Sequence, residues 1–232
     1  MTRALVINLD RSPARWAASS KALEEAGFAV ERVAAVDARR QPSSDRYDRA
    51  ANARSYFAPL KPAEIACFRS HRRAWERVAA DGPALVCEDD VAVDDDLLAL
   101  VEALPDGVAA AKFYSKRSVG GPSVPLRNRR LVRPRIVPLG CVAVWLTPAA
   151  ARKLLAASQR FHEPVDVFAQ RVWAHGVATH VVQPPPVREV SARLGGSTLL
   201  APRPSAIVRF AREFRRPVFR TRLALHSLWK TR

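Results

Sequence analysis

Three consecutive acidic residues directly follow a short apolar segment of the chain. Residues 84–87 read ALVC, and Glu88, Asp89 and Asp90 come next. Carboxylates held together at the end of a buried strand repel one another, and a divalent cation that prefers oxygen ligands, Mg²⁺ or Mn²⁺, would offset that repulsion. Such a cation bridges a diphosphate and stabilises it as a leaving group. The local sequence equally allows a solvated acidic turn that leads into the next helix.

A second polar cluster follows the first apolar segment, residues 4–9. Ser12 before Pro13 is typical of a helix N-cap with proline at the first helical position, and a helix N-terminus favours the phosphates of a nucleotide. The cluster matches neither a Walker loop nor a GxGxxG turn, so a capped turn with solvated arginines is the simpler local interpretation. Its candidate nucleotide contacts are Asn8, Asp10, Arg11 and Arg15.

Two further places offer polar side chains in an apolar context. Residues 62–80 have the periodicity of an amphipathic helix, and Glu64 and His71 fall inside its apolar arc on the same side. Buried polar groups need partners, so these two are either satisfied core groups or members of a site. Later in the chain, Glu163 and Asp166 are candidate general bases, with a helix-capping role for Asp166 as the alternative.

The segments that must position these groups alternate between apolar strands and amphipathic helices. A strand–helix–strand opening favours an α/β sheet with crossover connections, and ligands bind such sheets at the carboxyl ends of the strands. Residues 41–59 are predicted to be loop, and residues 115–135 an extended loop or hairpin. Predicted strands cover residues 4–9, 30–36, 84–87, 111–114, 142–146 and 177–182. Predicted helices cover residues 13–26, 62–80, 94–104, 148–157 and 167–174.

Composition narrows the class of protein further. A chain of 232 residues with 48% hydrophobic content is long enough for one domain with a core plus a short appendage. Its three cysteines lie far apart without a CxxC pair, which excludes a disulfide scaffold, argues against a zinc site and fits a reducing compartment. No apolar run reaches the roughly 20 residues of a membrane span, and the N-terminus lacks the apolar region of a signal peptide. We therefore expect a cytoplasmic protein.

The net charge of +16 is concentrated in two segments. Residues 112–135 hold two Lys, six Arg and no acidic residue, and residues 203–232 hold eight Arg, one Lys and one Glu, so each segment carries +8. Concentrated positive charge suits nucleic acid, anionic lipid or a phosphorylated substrate, and a nucleic-acid-binding protein is the non-enzymatic alternative. The first segment is expected to reach over a phosphorylated donor or an anionic acceptor.

The second basic segment, residues 203–232, is also amphipathic. Aromatic and aliphatic side chains are spread among its arginines, and Pro217 is expected to split it into two short helices. Basic amphipathic helices with aromatic side chains lie in membrane interfaces. We predict a domain over residues 1–202 and a tail over residues 203–232 that contacts the inner face of an anionic membrane. A helix packed on the domain is the alternative.

The order of these motifs along the chain resembles glycosyltransferase family 25, whose members include bacterial lipooligosaccharide and lipopolysaccharide sugar transferases. The resemblance covers roughly residues 3–190. The motifs are, in order, NLDRSxxR, AVD at residues 35–37, LKPAEIACFRSH at residues 60–71 with Trp75, EDD, VWLTPAAARKLL at residues 144–155, and PVD at residues 164–166.

This resemblance implies a GT-A-like nucleotide-binding mixed sheet flanked by helices, and inverting transfer of a sugar from a sugar nucleotide, often UDP-galactose. The acidic triplet stands where GT-A enzymes hold Mn²⁺ on the diphosphate, with Glu88 and Asp90 as the expected ligands for Mn²⁺ or Mg²⁺. The catalytic residues it implies are Asp166, the candidate base, and His71. The donor-binding residues it implies are Asn8, Asp10, Arg11, Arg15, Asp37, Ser70, Glu88 and Asp89.

The resemblance also implies an acceptor, a lipid-linked saccharide or lipopolysaccharide core of the bacterial cell envelope, and no nucleic-acid partner.

The chain departs from the family's pattern in three places. Ala63 stands where Gly usually precedes Glu, Arg69 replaces a small residue before Ser-His, and residues 191–193 lack the acidic residue expected after the late Ser. A catalytically inactive family member that acts as a membrane-associated scaffold is therefore the main alternative.

Overall fold

The computed structural model describes residues 1–190 together with residues 217, 219–222 and 225–226. The strands in these residues are β1 (Arg3–Asn8), β2 (Ala29–Ala34), β3 (Ala84–Glu88), β4 (Val91–Val93), β5 (Ala110–Lys112), β6 (Ser123–Leu126), β7 (Arg129–Val132), β8 (Ala143–Leu146), β9 (Thr179–Gln183) and β10 (Val187–Glu189). The helices are α1 (Pro13–Glu25), α2 (Arg49–Ser55), α3 (Pro62–Asp81), α4 (Leu97–Glu102), α5 (Pro148–Ala157), α6 (Val165–Gln170) and α7 (Val172–His175).

Eight of these strands form one mixed sheet in the order β2-β1-β3-β8-β5-β9-β7-β6. β1 pairs in parallel with β2 and with β3, and β5 pairs in parallel with β9, whereas the other pairs of this sheet are antiparallel. β4 and β10 form a separate antiparallel pair. The expected GT-A-like mixed α/β sheet flanked by helices is thereby confirmed.

Helices cover both faces of the sheet and bury β1 between them. Leu5 and Ile7 join the core under α3 and α5, and Ala4 and Val6 join the core under α1 and α4. A strand that is buried on both faces has a continuous apolar sequence instead of an alternating one. This is why the first strand is recognisable from the sequence.

The turn between β1 and α1 differs from its prediction in one respect. Ser12 occupies the N-cap position, but its side chain makes no capping hydrogen bond. Its carbonyl oxygen accepts instead from the Trp16 amide at 3.2 Å and from Asn8 Nδ2 at 3.0 Å. Pro13 lies at the start of the helix, and Gly27 just after its end adopts a positive φ of 94°, both as predicted.

Three other segments can be compared with their predictions, and the first has more structure than the sequence pattern indicates. Residues 41–59 contain α2, whose N-cap Asp48 accepts a hydrogen bond from the Ala51 amide at 2.8 Å. The predicted hairpin within residues 115–135 is formed by β6 and β7. The helix predicted over residues 167–174 is two short helices, α6 and α7, and Asp166 lies in the first turn of α6 instead of capping it.

Part of the basic tail packs against the domain. The described tail residues are helical, and the Phe219 ring lies edge-on to Tyr56 with centroids 5.2 Å apart and 5.8 Å from Phe57. For these residues the packing alternative is supported. The predicted boundary at residue 202, the departure at residues 191–193 and most of the tail lie outside the described residues. Within the described part of the chain, no helix is both long and apolar enough to cross a membrane.

Candidate functional site

The acidic triplet sits where two parallel strands end side by side. In the pairing of β1 with β3, Ile7 lies opposite Glu88, which brings Asn8 next to Asp89. The Asn8 amide donates to Asp89 Oδ2 at 2.7 Å and to the Ser12 carbonyl oxygen at 3.0 Å. One buried side chain therefore joins the triplet to the turn that opens α1.

Arg15 reaches from the first turn of α1 to the same triplet. Its NH2 atom lies 2.9 Å from Asp89 Oδ1 and 2.6 Å from Asp90 Oδ2, and the three side chains are only 10–11% exposed. A guanidinium enclosed with two carboxylates offsets part of their repulsion where water cannot. The local interpretations of Arg15 as a solvated side chain and of the triplet as a solvated turn are therefore wrong for these three residues.

The charge of this cluster is nevertheless not balanced. Burial and the neighbouring Glu88 raise the pKa of Asp90 to about 6, and burial raises the pKa of Asp89, although Arg15 opposes both effects. Among the described residues, the buried atoms Asp90 Oδ1 and Arg15 Nε have no hydrogen-bond partner. An unpartnered carboxylate oxygen beside two further carboxylates is an environment that a hard cation satisfies.

The triplet faces a cleft, here termed the first cleft, of about 860 Å³ including its open mouth. It lies between the ends of β1 and β3, the start of α1 and one face of α3. Seven of the predicted site residues line it: Arg11, Arg15, Ser70, His71, Glu88, Asp89 and Asp90. The Ser70 hydroxyl is already engaged, since it donates to the Ala66 carbonyl oxygen and accepts from the Val36 amide, both at 2.8 Å.

Three predicted donor-binding residues do not line the first cleft. Asn8 is buried behind it against Asp89. Asp37 accepts from Arg11 Nε at 3.0 Å and so orients a residue that does line the cleft. Asp10 is mostly exposed and pairs with Arg32 at 2.6 Å. Asn8 and Asp37 thus position cleft residues, whereas Asp10 belongs to the surface.

The face of α3 that borders the first cleft carries Cys67 and His71 one turn apart. His71 is buried, and its Nε2 lies 3.4 Å from Glu88 Oε1. Burial raises the pKa of the Cys67 thiol well above its usual value, so this thiol is neutral. Glu64, which the helical periodicity places on the same side, accepts instead from the Lys61 amide at 2.7 Å and closes the N-terminus of α3.

A second, larger cleft of about 1920 Å³ including its mouth lies beside the first. Asp166 lines this second cleft, where its Oδ1 accepts from the Val167 amide at 2.9 Å and its Oδ2 from the Gly140 amide at 3.4 Å. Glu163 is unsuited to act as a base, because it is buried and paired with Arg171 at 2.7 Å. Both clefts are lined by Cys67, Glu88 and Glu189.

Tyr114 and Glu189 are cleft residues that the sequence patterns do not identify. The Tyr114 hydroxyl donates to Glu189 Oε2 at 3.0 Å, and Lys116 Nζ lies 3.5 Å from the same oxygen. Tyr114 is the last residue of the strand predicted over residues 111–114. Its position at a strand end is the one feature of the sequence that could have identified it as a cleft residue. Glu189 ends β10, which no sequence pattern indicates because β10 pairs only with the three-residue strand β4.

The basic segment over residues 112–135 is divided by the fold. Lys112 is buried, and its ammonium donates to the carbonyl oxygens of Pro138 and Leu139. Lys116 and Arg117 line the second cleft. Arg129 lies on the hairpin and is held by Asp94 at 2.9 Å and by Asp96 at 3.0 Å.

The structure thus has a mixed α/β sheet with buried carboxylates at its strand ends, beside a cleft at the edge where ligands bind such sheets. The sequence profile of Glycosyltransferase family 25 (LPS biosynthesis protein) matches residues 1–124. The chain belongs to glycosyltransferase family 25, as its motifs indicate.

Two curated mammalian proteins are similar to the chain over most of its length. The "Probable inactive glycosyltransferase 25 family member 3" of Rattus norvegicus is 34% identical over 186 residues, which cover 70% of this chain and 31% of the rat protein. The "Inactive glycosyltransferase 25 family member 3" of Mus musculus is 35% identical over 182 residues, 70% of this chain and 30% of the mouse protein. The chain thus spans less than a third of the length of these relatives.

Proposed function

We propose that the chain is a metal-dependent inverting glycosyltransferase that moves a sugar from a sugar nucleotide to a lipid-linked or lipopolysaccharide core saccharide. UDP-galactose is the first donor to test. The observation that carries the proposal is the pair of adjoining clefts. The first has the buried triplet, the second has Asp166, and Glu88 borders both. This arrangement provides separate places for a donor and an acceptor beside shared carboxylates.

The residues of the triplet fit a hard divalent cation. Their donor atoms are carboxylate oxygens, which Mn²⁺ and Mg²⁺ prefer, and Asp90 Oδ1 is buried without a partner among the described residues. Glu88 and Asp90 would hold the cation, with Asp89 already bonded by Asn8 and Arg15. When bound, the cation would offset the charge that develops on the departing diphosphate.

The chain's own side chains supply the remaining functions. Arg11 is 36% exposed in the first cleft and is oriented by Asp37, which suits contact with a phosphate. Asp166 takes the proton of the acceptor hydroxyl as the hydroxyl oxygen bonds to the anomeric carbon and the bond from that carbon to the diphosphate breaks. The amides of Val167 and Gly140 hold the Asp166 carboxylate for this step. His71 contacts Glu88, the carboxylate that borders both clefts.

Replacing Asp166 with Asn removes the proposed base and keeps the size of the side chain. We expect kcat to fall by about 100-fold, because that is a typical contribution of general base catalysis, while KM for the donor stays within about threefold. Steady-state kinetics with varied donor and acceptor measure both constants. Asp106→Asn, the same change at an exposed turn, serves as the control. An unchanged kcat in Asp166→Asn would show that Asp166 is not the base.

The proposed acceptor and the proposed location of the protein at a membrane are both inferred from the positive charge of the chain. Lys116 and Arg117 line the second cleft, where they favour an anionic acceptor such as a phosphorylated saccharide lipid. The tail carries a formal charge of +8, which suits the anionic inner face of a membrane and a peripheral association with it.

A second candidate is a catalytically inactive member of the family that serves as a scaffold, and it is favoured by the names of the two mammalian relatives. A donor that binds the folded state raises the melting temperature. We expect UDP with Mn²⁺ at about 100 times its Kd to raise Tm by about 5 °C or more. A panel of UDP-, GDP- and CMP-sugars, followed by a nucleotide-release assay, then separates the candidates.

Three outcomes are distinguishable in that experiment. A Tm increase with nucleotide release supports the transferase, and a Tm increase without release over a broad acceptor panel supports the inactive member. A flat response to every nucleotide, together with binding to DNA or RNA that weakens steeply with salt, would instead support the nucleic-acid-binding alternative.

A further inference from the structure

Three side chains of different chemistry meet where the two clefts adjoin. Cys67 and His71 are four residues apart on α3, so both lie on one face of the helix. Glu88 at the end of β3 faces them, with Oε1 lying 3.4 Å from His71 Nε2. One thiol sulfur, one imidazole nitrogen and one carboxylate oxygen from these residues all lie within 4.8 Å of one another.

We propose that Cys67, His71 and Glu88 form a Zn²⁺ site that is distinct in its donor chemistry from the all-oxygen site of the acidic triplet. Thiolate and imidazole ligands select Zn²⁺ over Mg²⁺ and Mn²⁺. Three protein ligands with an open fourth position are the pattern of accessible zinc sites, whereas structural zinc sites have four. Binding releases the Cys67 proton to solvent as the sulfur–zinc bond forms.

The distances within the cluster require only a small movement of the three side chains towards a bound ion. Tetrahedral zinc with Zn–S near 2.3 Å and Zn–N near 2.0 Å separates its ligand atoms by about 3.5 Å. The contact between His71 and Glu88 already has nearly this length, and Glu88, with its side chain 32% exposed, has freedom to move. Cys67 is partly exposed to both clefts, which provides an entry path.

The position of the Zn²⁺ site predicts an effect of Zn²⁺ on sugar transfer. This effect rests on the proposed function, because Glu88 is shared between the two metal sites only if the acidic triplet binds a cation. Zn²⁺ bound to Glu88 withdraws that carboxylate from the hard cation and fills the space where the clefts meet. We therefore infer that Zn²⁺ inhibits sugar transfer even when Mn²⁺ is in excess.

Co²⁺ is the spectroscopic probe for the site itself, since thiolate bound to Co²⁺ gives a near-ultraviolet charge-transfer band. Titration of the full, reduced chain with Co²⁺ should produce this band at one Co²⁺ per chain, and added Zn²⁺ should abolish it. The band should persist in Cys141→Ser, which removes a thiol outside the cluster, and be absent in Cys67→Ser. Glu88→Gln should keep the band with an affinity for Co²⁺ that is weaker by at least about tenfold.

A second measurement keeps the inference testable if a variant fails to fold. In the wild-type chain, Zn²⁺ should slow alkylation of Cys67 by iodoacetamide relative to Cys141, as read by mass spectrometry of peptides. Absence of the Co²⁺ band, a band that survives Cys67→Ser, or alkylation of Cys67 that is insensitive to Zn²⁺ would each overturn the site. None of these readouts requires turnover.

The activity measurement tests the consequence separately. If the chain transfers sugar, Cys67→Ser should raise the Zn²⁺ concentration for half-inhibition by at least about tenfold relative to wild type, since a ligand is lost. Equal inhibition of the wild-type chain and of Cys67→Ser by Zn²⁺ would show that the site does not regulate sugar transfer. It would leave the Co²⁺ evidence for the site itself intact. A chain that binds Co²⁺ through Cys67 and yet transfers no sugar from any donor would refute only the proposed function.

Discussion

Replacing Asp90 with Asn is expected to lower metal-dependent kcat by at least about 1,000-fold, because loss of the proposed cation removes several kcal/mol of charge stabilisation from the leaving diphosphate. The amide preserves the size of the side chain and retains an oxygen that Arg15 can reach. It lacks the negative charge that attracts a divalent cation. Turnover as a function of Mn²⁺ concentration measures the effect.

The same substitution should not destabilise the fold, and this separates a functional from a structural role. Burial and Glu88 raise the pKa of Asp90 to about 6, so its charged form is less favourable in the folded protein than in the unfolded chain. The Asp90→Asn substitution removes this unfavourable charge. We expect the free energy of unfolding at pH 7 to stay equal or to rise by up to about 3 kcal/mol, which is the free energy that corresponds to a pKa raised by about two units.

Asp95→Asn provides the matched control, because Asp95 is an exposed carboxylate five residues along the chain. It should change neither turnover nor stability measurably. Full Mn²⁺-dependent turnover in the Asp90 variant would show that the triplet does not hold the metal. A loss of turnover accompanied by an equal loss of stability would assign Asp90 a structural role.

The parts of the site that can be predicted from the sequence are those carried by contiguous residues at strand ends. The triplet after β3 and the polar turn after β1 each follow an apolar run, and parallel pairing of β1 with β3 brings their ends together. The rule that ligands bind at the carboxyl ends of the strands places both groups at the binding edge of the predicted sheet. Asp166 is identifiable through its PVD motif, and the structure brings it to the adjoining cleft.

The remaining parts depend on contacts between side chains from distant elements, which no local pattern encodes. The motif places Arg15 beside a nucleotide, whereas its pairing with Asp89 and Asp90 depends on how α1 docks on the sheet. The cysteine spacing argues against a zinc site, but this argument considers only cysteine pairs and not a cysteine combined with other ligand types. The cluster of Cys67 with His71 and Glu88 combines one helix face with one strand end, and only the fold brings these together.

Replacing Arg15 with Gln should produce the largest loss of stability, about 3 kcal/mol at pH 7, because it leaves two buried carboxylates without their cationic partner. Arg15 is 11% exposed and lies within 2.9 Å of both carboxylates. Arg11→Gln is the matched control, since Arg11 is more exposed and pairs with a single carboxylate. An exposed pair of that kind contributes at most about 1 kcal/mol. Urea unfolding of both variants measures the difference.

The pH dependence of this loss has a definite sign. The folded-state pKa values of Asp89 and Asp90 are raised, so the folded protein binds more protons than the unfolded chain between pH 4 and the folded pKa. For Asp90, its contribution to the free energy of unfolding therefore falls as pH rises from about 4 to about 6. Without Arg15 the pKa values rise further, and the fall should extend above pH 6. The deficit of Arg15→Gln should shrink as pH falls towards 4, because Asp90 becomes protonated in the folded state below its raised pKa of about 6 and then no longer needs a cationic partner.

A double-mutant cycle decides whether Arg15 acts through these charges. Adding Asp90→Asn to Arg15→Gln removes one of the two carboxylates that the first substitution leaves unpaired. Part of the lost stability should return, by at least about 1 kcal/mol, because residues in one ion-pair network are not additive. If the two effects simply add, Arg15 stabilises the fold by packing its aliphatic stem, and the triplet must then obtain its compensating charge from a bound cation alone.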